Sequence, residues 1–585
     1  MRLTFKIVGF CLLTVTGYCL LAFSQEQTPT AVKVKEKLVL QADSLLTAIN
    51  RLQTAHAKDL QLRFRQLRLA YKRLEWAAEY FDPVTTRIVN GPPVPEVEPD
   101  GLVIQPDGLQ VIEELLFPRY NPTSKKSLDK LLASLATNAG NYKSYFARTD
   151  LQDWRILDAV KLEVFKIETL GLNDFDDPLA RQCFAESSTA LQSIQAVTGE
   201  YQNLPEFSNA IRYLLKPVAF NSFDRAKFLT AYANPLTRAL TRLRKQLHLP
   251  DIRYNRLLNQ DAATLFDQNA FNRNAYLNDL SDSTTSAKIA LGKKLFFDPL
   301  LSGTMTRSCS SCHQPQKYFT DGMVKNLDIM GKKPIARNTP TLINAALQAG
   351  QFYDLRAETL EDQAGDVVRN RDEMHGDMQL SIGKLWRDSA YRKLFGDAFP
   401  VKHRTAIDTM EVMNALAGYI RSLTALNSRF DAYMQGDQNA LKKTEVNGFN
   451  LFMGKARCST CHYMPLFNGT LPPRYMQTDA EVIGTPQTKA GKKIDPDLGL
   501  YGITPLAFTR HAFKVTSVRN TAQTAPYMHN GVFKTLDEVI DFYNKGGGAG
   551  IGLKVPNQTL STDKLNLTLK ERRELIAFIK SLDSR

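Results

Sequence analysis

The sequence predicts an all-α protein, a long helical front half followed by two smaller helical units, and three observations carry that expectation. Apolar residues recur at helical spacing through Leu60–Phe81 and Leu151–Leu170. A five-residue pattern occurs twice, as Cys309-Ser310-Ser311-Cys312-His313 and Cys458-Ser459-Thr460-Cys461-His462. Each copy follows a short amphipathic segment that ends at a helix stop, Ala287–Phe297 before Asp298-Pro299 and Glu445–Met453 before Gly454. At 585 residues the chain exceeds one hydrophobic core, so several units are expected. Hydrophobic residues at 43% and charged residues at 23% exclude a membrane bundle and a disordered chain.

In chain order, Arg2 and Lys6 precede an apolar run from Ile7 to Phe23 that Thr14, Thr16 and Gly17 interrupt. With Ala22-Phe23-Ser24 at its end, residues 1–24 are expected to be a secretory signal cleaved before Gln25, leaving no membrane span; a retained anchor is the alternative. Neither Cys11 nor Cys19 follows a small residue, which argues against lipid attachment. Residues 25–270 carry the helical front part, split by the Pro-rich loop Gly91–Gly108. Residues 271–285, with the polar run Asn272–Thr285, read as a linker. The two units follow at 286–430 and 431–585, the second closed by an amphipathic helix over Leu567–Leu582. Net charge is +14, but Lys and Arg alternate with Asp and Glu along the chain, so no nucleic-acid partner is expected.

Seven cysteines are present, two of them in the signal; Cys183 is expected to be an inert buried thiol, and the other four make up the two repeated patterns. C-x-x-C-H places two thiols where they add to the two vinyl groups of one haem and gives the following imidazole to its iron. Two copies imply two covalent haem c groups. A redox dithiol needs no adjacent His, and a zinc site would need both pairs to converge on one metal; these are the competing readings. Export into an oxidising compartment, the periplasm, accords with covalent haem.

The stretch LGKKLFFDPLLSGTMTRSCSSCHQPQKYFTDG, then ARNTPTLINAA and FYDLRAETLEDQAGDVVRNRDEM, resembles the first haem domain of bacterial dihaem cytochrome c peroxidases and MauG. SVRNTAQTAPYMHNGVFKTLDEVIDFYNKGGG resembles the end of their second domain, so the similarity runs from about Ser286 to Arg585. It implies two cytochrome c-like domains, with His313 as proximal ligand of a first, peroxide-reacting haem and His462 of a second, electron-transferring haem. Family members place a displaceable His beyond the first motif; that position is Ile329 here, and no His lies between His313 and His375. The first iron is therefore expected to be open, a MauG-like feature, with Met323 and Met330 as thioether rivals. The family's distal Gln and Glu correspond to Gln363 and Glu373; Glu373 is implied as proton shuttle and Gln363 as hydrogen-bond partner of bound oxygen.

Two positions depart from the pattern: the Pro after the Gln is Val367, and the Trp between the haems is Tyr353, which passes an electron with loss of its phenolic proton. The far ligand of the second haem, counted from Pro526 of the A-P-Y-x-H motif, is Tyr543, where most peroxidases carry Met and the MauG type Tyr; Met528 is the alternative. A phenolate favours oxidised iron where a thioether favours reduced iron. The resemblance also implies calcium at Asn338, Thr524 and Pro526, which offer hard oxygen donors. Tyr71–Pro83 and Gly108–Phe117 resemble imelysin-type helical proteins, with Gln110 and Glu113 at that family's His and Glu. A plain helical scaffold is expected there.

The function these features imply is reduction of hydrogen peroxide with electrons from a small periplasmic donor, a cytochrome c or cupredoxin, entering at the second haem. A MauG-like oxidation of a protein or small organic partner through high-valent haems is the second reading. A non-enzymatic dihaem electron carrier is the third; it predicts two six-coordinate haems and no acid–base residue at the first.

Overall fold

The computed structural model describes residues 27–97, 102–400 and 404–585, so the expected signal segment lies outside it. About half of the described chain is helical, and the named strands are two-residue pairs, Glu96–Val97 with Val103–Ile104 and Ala480–Glu481 with Phe513–Lys514. Among the described residues no helix is long and apolar enough to cross a membrane.

The front half is built on α1 (Pro29–Gln53), α2 (Leu60–Phe81), α3 (Lys125–Arg148), α4 (Asp153–Thr169) and α5 (Cys183–Thr198). Thr28 starts α1 by accepting the Ala31 N–H, with Pro29 in the first turn where its missing donor costs nothing. Val34, Leu38, Leu45, Ile49 and Leu52 then form the stripe that α1 lays against α2 and α3. α2 spans the residues its periodicity predicts, whereas α4 is buried on every side from Ile156 to Thr169.

Several buried charged groups on α2, α4 and α5 are paired with one another. Arg68 meets Glu186 in a two-pronged contact of 2.5 and 2.8 Å, and Lys72 and Lys166 each reach Glu75 at 2.8 Å. Such desolvated pairs hold register more than they add net stability, because removal of one partner strands the other. Gln110 and Glu113 serve the backbone: the Gln110 amide donates to Asn90 O at 3.0 Å, and Glu113 accepts the N–H groups of Leu179 and Ala180 at 3.1 and 2.5 Å. Cys183 opens α5 as a buried free thiol.

After α6 (Asn234–Gln246) the chain runs irregularly to Ser286, which corrects the expectation of helix to about residue 270. Pro250 and a run of Asp and Asn explain the difference, since short polar side chains offer the backbone turn bonds in place of the helical ladder. Asp267 accepts from Ala263 and Thr264, and Asn272 from Asn274. Nor is the polar run at 272–285 a free linker, because Tyr276 donates its hydroxyl to Tyr475 O at 2.6 Å.

The two C-x-x-C-H segments sit in matching frames. α7 (Ser286–Phe297) crosses α9 (Thr409–Ser422), which follows α8 (Leu360–Arg369). α10 (Lys443–Met453) crosses α12 (Leu569–Ser581), which follows α11 (Leu536–Asn544). Each crossing turns on a glycine: a Cβ at Gly292 would lie 1.8 Å from Ala415 O, and one at Gly448 would lie 2.0 Å from Glu574 O. The first frame has its own core around Phe296, Leu385 and Leu416. The second shares one continuous core with the front half, Phe64, Trp76 and Phe165 joining Phe430, Phe449 and Phe578.

Candidate haem centres

Both motif histidines are held in the same way. Nδ1 of His313 lies 3.0 Å from Phe319 O, and Nδ1 of His462 lies 3.0 Å from Thr516 O. A carbonyl only accepts, so Nδ1 carries the proton in each ring and Nε2 keeps its lone pair, the arrangement that orients a metal-ligating imidazole. Burial lowers the pKa of both rings, His462 to about 4, which keeps them neutral.

The four thiols are unpaired. Burial pushes Cys309 and Cys458 up to about 12 and Cys312 up to about 11. A redox dithiol draws on thiols made acidic by their surroundings, and here burial does the reverse. The donor set, two protonated thiols beside one neutral imidazole with a free Nε2, fits covalent haem at each motif.

Around the first motif the chain folds back on itself. Asn326 donates its amide to Cys312 Sγ at 3.3 Å and to Asp321 at 2.9 Å. Glu373 follows α8 in a loop whose Asn370 Nδ2 donates to its Oε1 at 2.7 Å. Burial raises the Glu373 pKa against the opposing pull of Arg356 and Arg307, and Arg307, two residues ahead of the first motif, donates to Glu373 O at 3.4 Å. Gln363 stands half-buried on α8, with no hydrogen bond to its amide among the described residues. Ile329 is half-buried, its N–H bonded to Asp372 O at 2.8 Å. Met323 and Met330, the thioether rivals, are 44% and 59% exposed.

At the second motif Tyr543, on α11, has its pKa raised first by burial and then by the charges of Cys461 and Cys458. Met528 lies elsewhere, in a turn whose next residue, His529, accepts the Asn338 N–H at 2.7 Å and stacks on Phe513. That turn belongs to the seam between the two frames. There Tyr353 O accepts the Lys514 N–H at 2.7 Å, and Arg337 bridges Asp354 at 2.6 Å and Asp497 at 2.7 Å. The Tyr353 phenol is buried near Arg337 and Asp321, and burial raises its pKa. Asn338 donates its side-chain amide to Met323 O at 2.8 Å; Thr524 and Pro526 sit on the facing segment, Thr524 with its N–H on Thr521 O.

Sequence reasoning missed four groups: Asn326 on Cys312, Arg307 and Arg356 about Glu373, and Asn173 of the front half. Asn173 donates to the carbonyl and hydroxyl of Ser459, inside the second motif, at 3.1 and 3.0 Å. Phe175 adds an edge contact to Tyr463 at 5.7 Å. Ser459 is fully buried, while Ser310, the matching residue of the first motif, is half-buried.

Comparison with known proteins gives a consistent picture. A family model described as di-haem cytochrome c peroxidase matches residues 286–439. The methylamine utilization protein MauG of Methylorubrum extorquens is 35% identical over 300 residues, 51% of this chain and 78% of that protein. Cytochrome-c peroxidase IdrP1 of a Pseudomonas species is 34% identical over 328 residues, covering 52% and 82% respectively. Cytochrome c551 peroxidase of Nitrosomonas europaea is 31% identical over 293 residues, covering 50% and 78%. Among solved structures, a MauG-like protein associated with microbial copper homeostasis aligns with TM-score 0.46 and 29% identity over 52% of this chain and 92% of that one.

Proposed function

The chain belongs to the family of di-haem cytochrome c peroxidases and MauG, dihaem oxidoreductases, and we propose that it reduces hydrogen peroxide at the first of its two haem c centres, outside the cytoplasm. The observation that carries this reading is the half-buried Glu373, held by Asn370 through its side chain and by Arg307, two residues ahead of the first motif, through its carbonyl. Haem bound at each motif would supply one-electron redox chemistry, with His313 and His462 each offering a free Nε2 to hold its iron. The rest falls to side chains. Glu373, with one oxygen held by Asn370, takes a proton from incoming peroxide and returns it to the leaving oxygen; burial keeps its pKa up, as a group that must both accept and donate requires. Gln363 offers donor and acceptor atoms to the bound oxygen. Tyr353, in the seam, is the group between the two centres. Two electrons and two protons turn each peroxide into two waters, the electrons coming from a small donor protein. Asn338, Thr524 and Pro526 are assigned a structural calcium in that seam.

A second reading, oxidation of a protein or organic partner as in MauG, is favoured by the phenol of Tyr543 on α11, whose pKa responds to Cys461 and Cys458 of the second motif. An anionic oxygen ligand stabilises oxidised iron and suits a centre that stores oxidising equivalents.

The test is spectroscopic and uses the purified holoprotein. Two covalent haems per chain are expected, one of them high-spin in the fully oxidised protein and reactive with peroxide. A first haem that is six-coordinate and inert to peroxide overturns the enzymatic assignment of that centre. Peroxide turnover with reduced cytochrome c or cupredoxin then separates the peroxidase from the oxidase reading.

A further inference from the structure

The front half meets the second haem frame at a second place besides Asn173. Arg225 opens a short helix, Arg225–Phe228, that lies against α10. Its N–H and that of Ala226 bond to Asn450 Oδ1 at 2.9 and 3.2 Å, and Asn450 returns its amide to Asp224 at 3.1 Å. The Arg225 side chain is fully buried. Nε donates to Leu172 O at 2.8 Å, one residue ahead of Asn173. Nη1 donates to Phe220 O and Phe223 O at 3.1 and 3.2 Å, while Nη2 has no hydrogen-bond partner among the described residues. The guanidinium packs on Gly454, where α10 ends four residues before Cys458; a Cβ there would lie 3.0 Å from Nη1.

This cation has no ionised partner. Its hydrogen bonds go to carbonyls alone, and the rings of Phe220, Phe184 and Phe223 surround it at 4.5, 5.7 and 5.8 Å. The groups whose charge reaches it are Cys183, Asp174 and Asp224, and burial raises the pKa of the first two toward their neutral forms. Burial pulls Arg225 itself down to about 10, which leaves it positive at neutral pH. The other cations leading into the second motif differ: Lys455 is paired with Glu571 at 2.8 Å, and Arg457 is half-buried, within reach of water. A charge that neither water nor a counter-ion screens acts well beyond its own contacts. Positive charge near a redox centre favours its reduced form, because reduction removes positive charge from the centre.

We propose that the front half tunes the second haem through Arg225: the unpartnered guanidinium, set against the backbone that leads into Cys458, raises the reduction potential of a haem bound at the second motif. Arg225 is thus a positioning residue for electron uptake, and it offsets the pull toward oxidised iron that an anionic Tyr543 oxygen would exert. The inference rests on haem c at the second motif and is independent of which reaction the first centre performs.

The experiment is a spectroelectrochemical titration of full-length holoprotein, with the first haem as internal reference. Arg225→Gln and Arg225→Met are each expected to make reduction of the second haem about tenfold less favourable, about 59 mV for one electron, with the first haem unmoved. Two neutral variants are used because Met fills the buried volume without needing partners, whereas Gln keeps a donor for Leu172 O. Arg225→Lys keeps the charge and loses the fork, and is expected to stay within about twofold of wild type. A second-haem potential that matches wild type in the neutral variants overturns the proposal. So does a fall in the Lys variant as large as theirs, which would make Arg225 a mechanical support of the Leu172 loop. A wild-type chain that carries one covalent haem overturns the haem assignment at the second motif, and the haem count separates that failure from the other two.

Discussion

Asn173, in the front half, gives its side-chain amide to both the carbonyl and the hydroxyl of Ser459, and both residues are buried. Through that contact the front half holds the second motif from outside its own frame. Asn173→Ala leaves Ser459's buried acceptors unpaired, which costs about 1–3 kcal/mol. Denaturant unfolding of the holoprotein is expected to show that loss, with the spectrum of the second haem altered and the peroxide reaction at the first unchanged. Equal stability of variant and wild type would reduce the contact to an ornament of packing.

Glu373 is the acid–base group proposed for the first centre. Glu373→Gln keeps the shape and the Asn370 contact but removes the exchangeable carboxyl proton. Stopped-flow mixing with peroxide is expected to be slower by about 10²–10⁴-fold, the usual contribution of general acid–base catalysis. Because Arg307 and Arg356 oppose the burial that raises the Glu373 pKa, Arg356→Ala is expected to move the acidic limb of the pH–rate profile upward. A profile that stays in place would disconnect Glu373 from the titrating step.

Tyr543 and Met528 compete as far ligands of the second haem. The Tyr543 pKa responds to Cys461 and Cys458, while Met528 belongs to the seam turn. Tyr543→Phe is expected to change the absorption and raise the reduction potential of the second haem, since loss of an anionic oxygen ligand disfavours oxidised iron. Met528→Leu is expected to leave both as they are. The opposite pattern would transfer the ligand to Met528.

What could be read in advance was what is local. α2 coincides with its apolar period, and the two motifs carry their chemistry in five consecutive residues each. α9 escaped because Val412 to Arg421 is buried on every side, so it shows no stripe to distinguish it from any other apolar run. Asn173 and Ser459 are 286 residues apart, and one Asn in a turn-rich stretch carries no mark of its partner. Nothing in the sequence ties Arg307 and Arg356 to Glu373, because the three lie on separate loops that only the fold brings together. The shared core of the front half and the second frame was equally hidden, since hydrophobic residues do not record which surface they meet.

Gly448 and Gly292 mark the two helix crossings that frame the motifs. A methyl at either meets a main-chain oxygen of the facing helix at 2.0 or 1.8 Å, a contact no side-chain rotation relieves. Gly448→Ala and Gly292→Ala are each expected to cost at least about 1–3 kcal/mol, as overpacking does. Gly140, in α3, meets nothing within 4 Å, so Gly140→Ala is expected to stabilise by about 0.5–1 kcal/mol through helix propensity alone. Thermal unfolding of the three variants reads the contrast in sign.

Glu168 closes α4 with neither carboxylate oxygen bonded and no exposure, near the equally unpartnered hydroxyl of Tyr475 from the second frame. Burial alone raises its pKa from 4.5 to about 8. A folded-state value above the unfolded one means that the folded protein retains a proton that the unfolded chain releases. The stability present below about pH 4.5 is therefore lost progressively as pH rises toward about 8. The slope across that window is about 1.36 kcal/mol per pH unit from this group. Glu168→Gln, which mimics the neutral acid, is expected to be less sensitive to pH over the same range and to exceed wild type in stability near its upper end. Denaturant midpoints of both proteins across the window decide it: parallel curves would mean that Glu168 is ionised in the fold and has found a partner at the seam between the front half and the second haem frame.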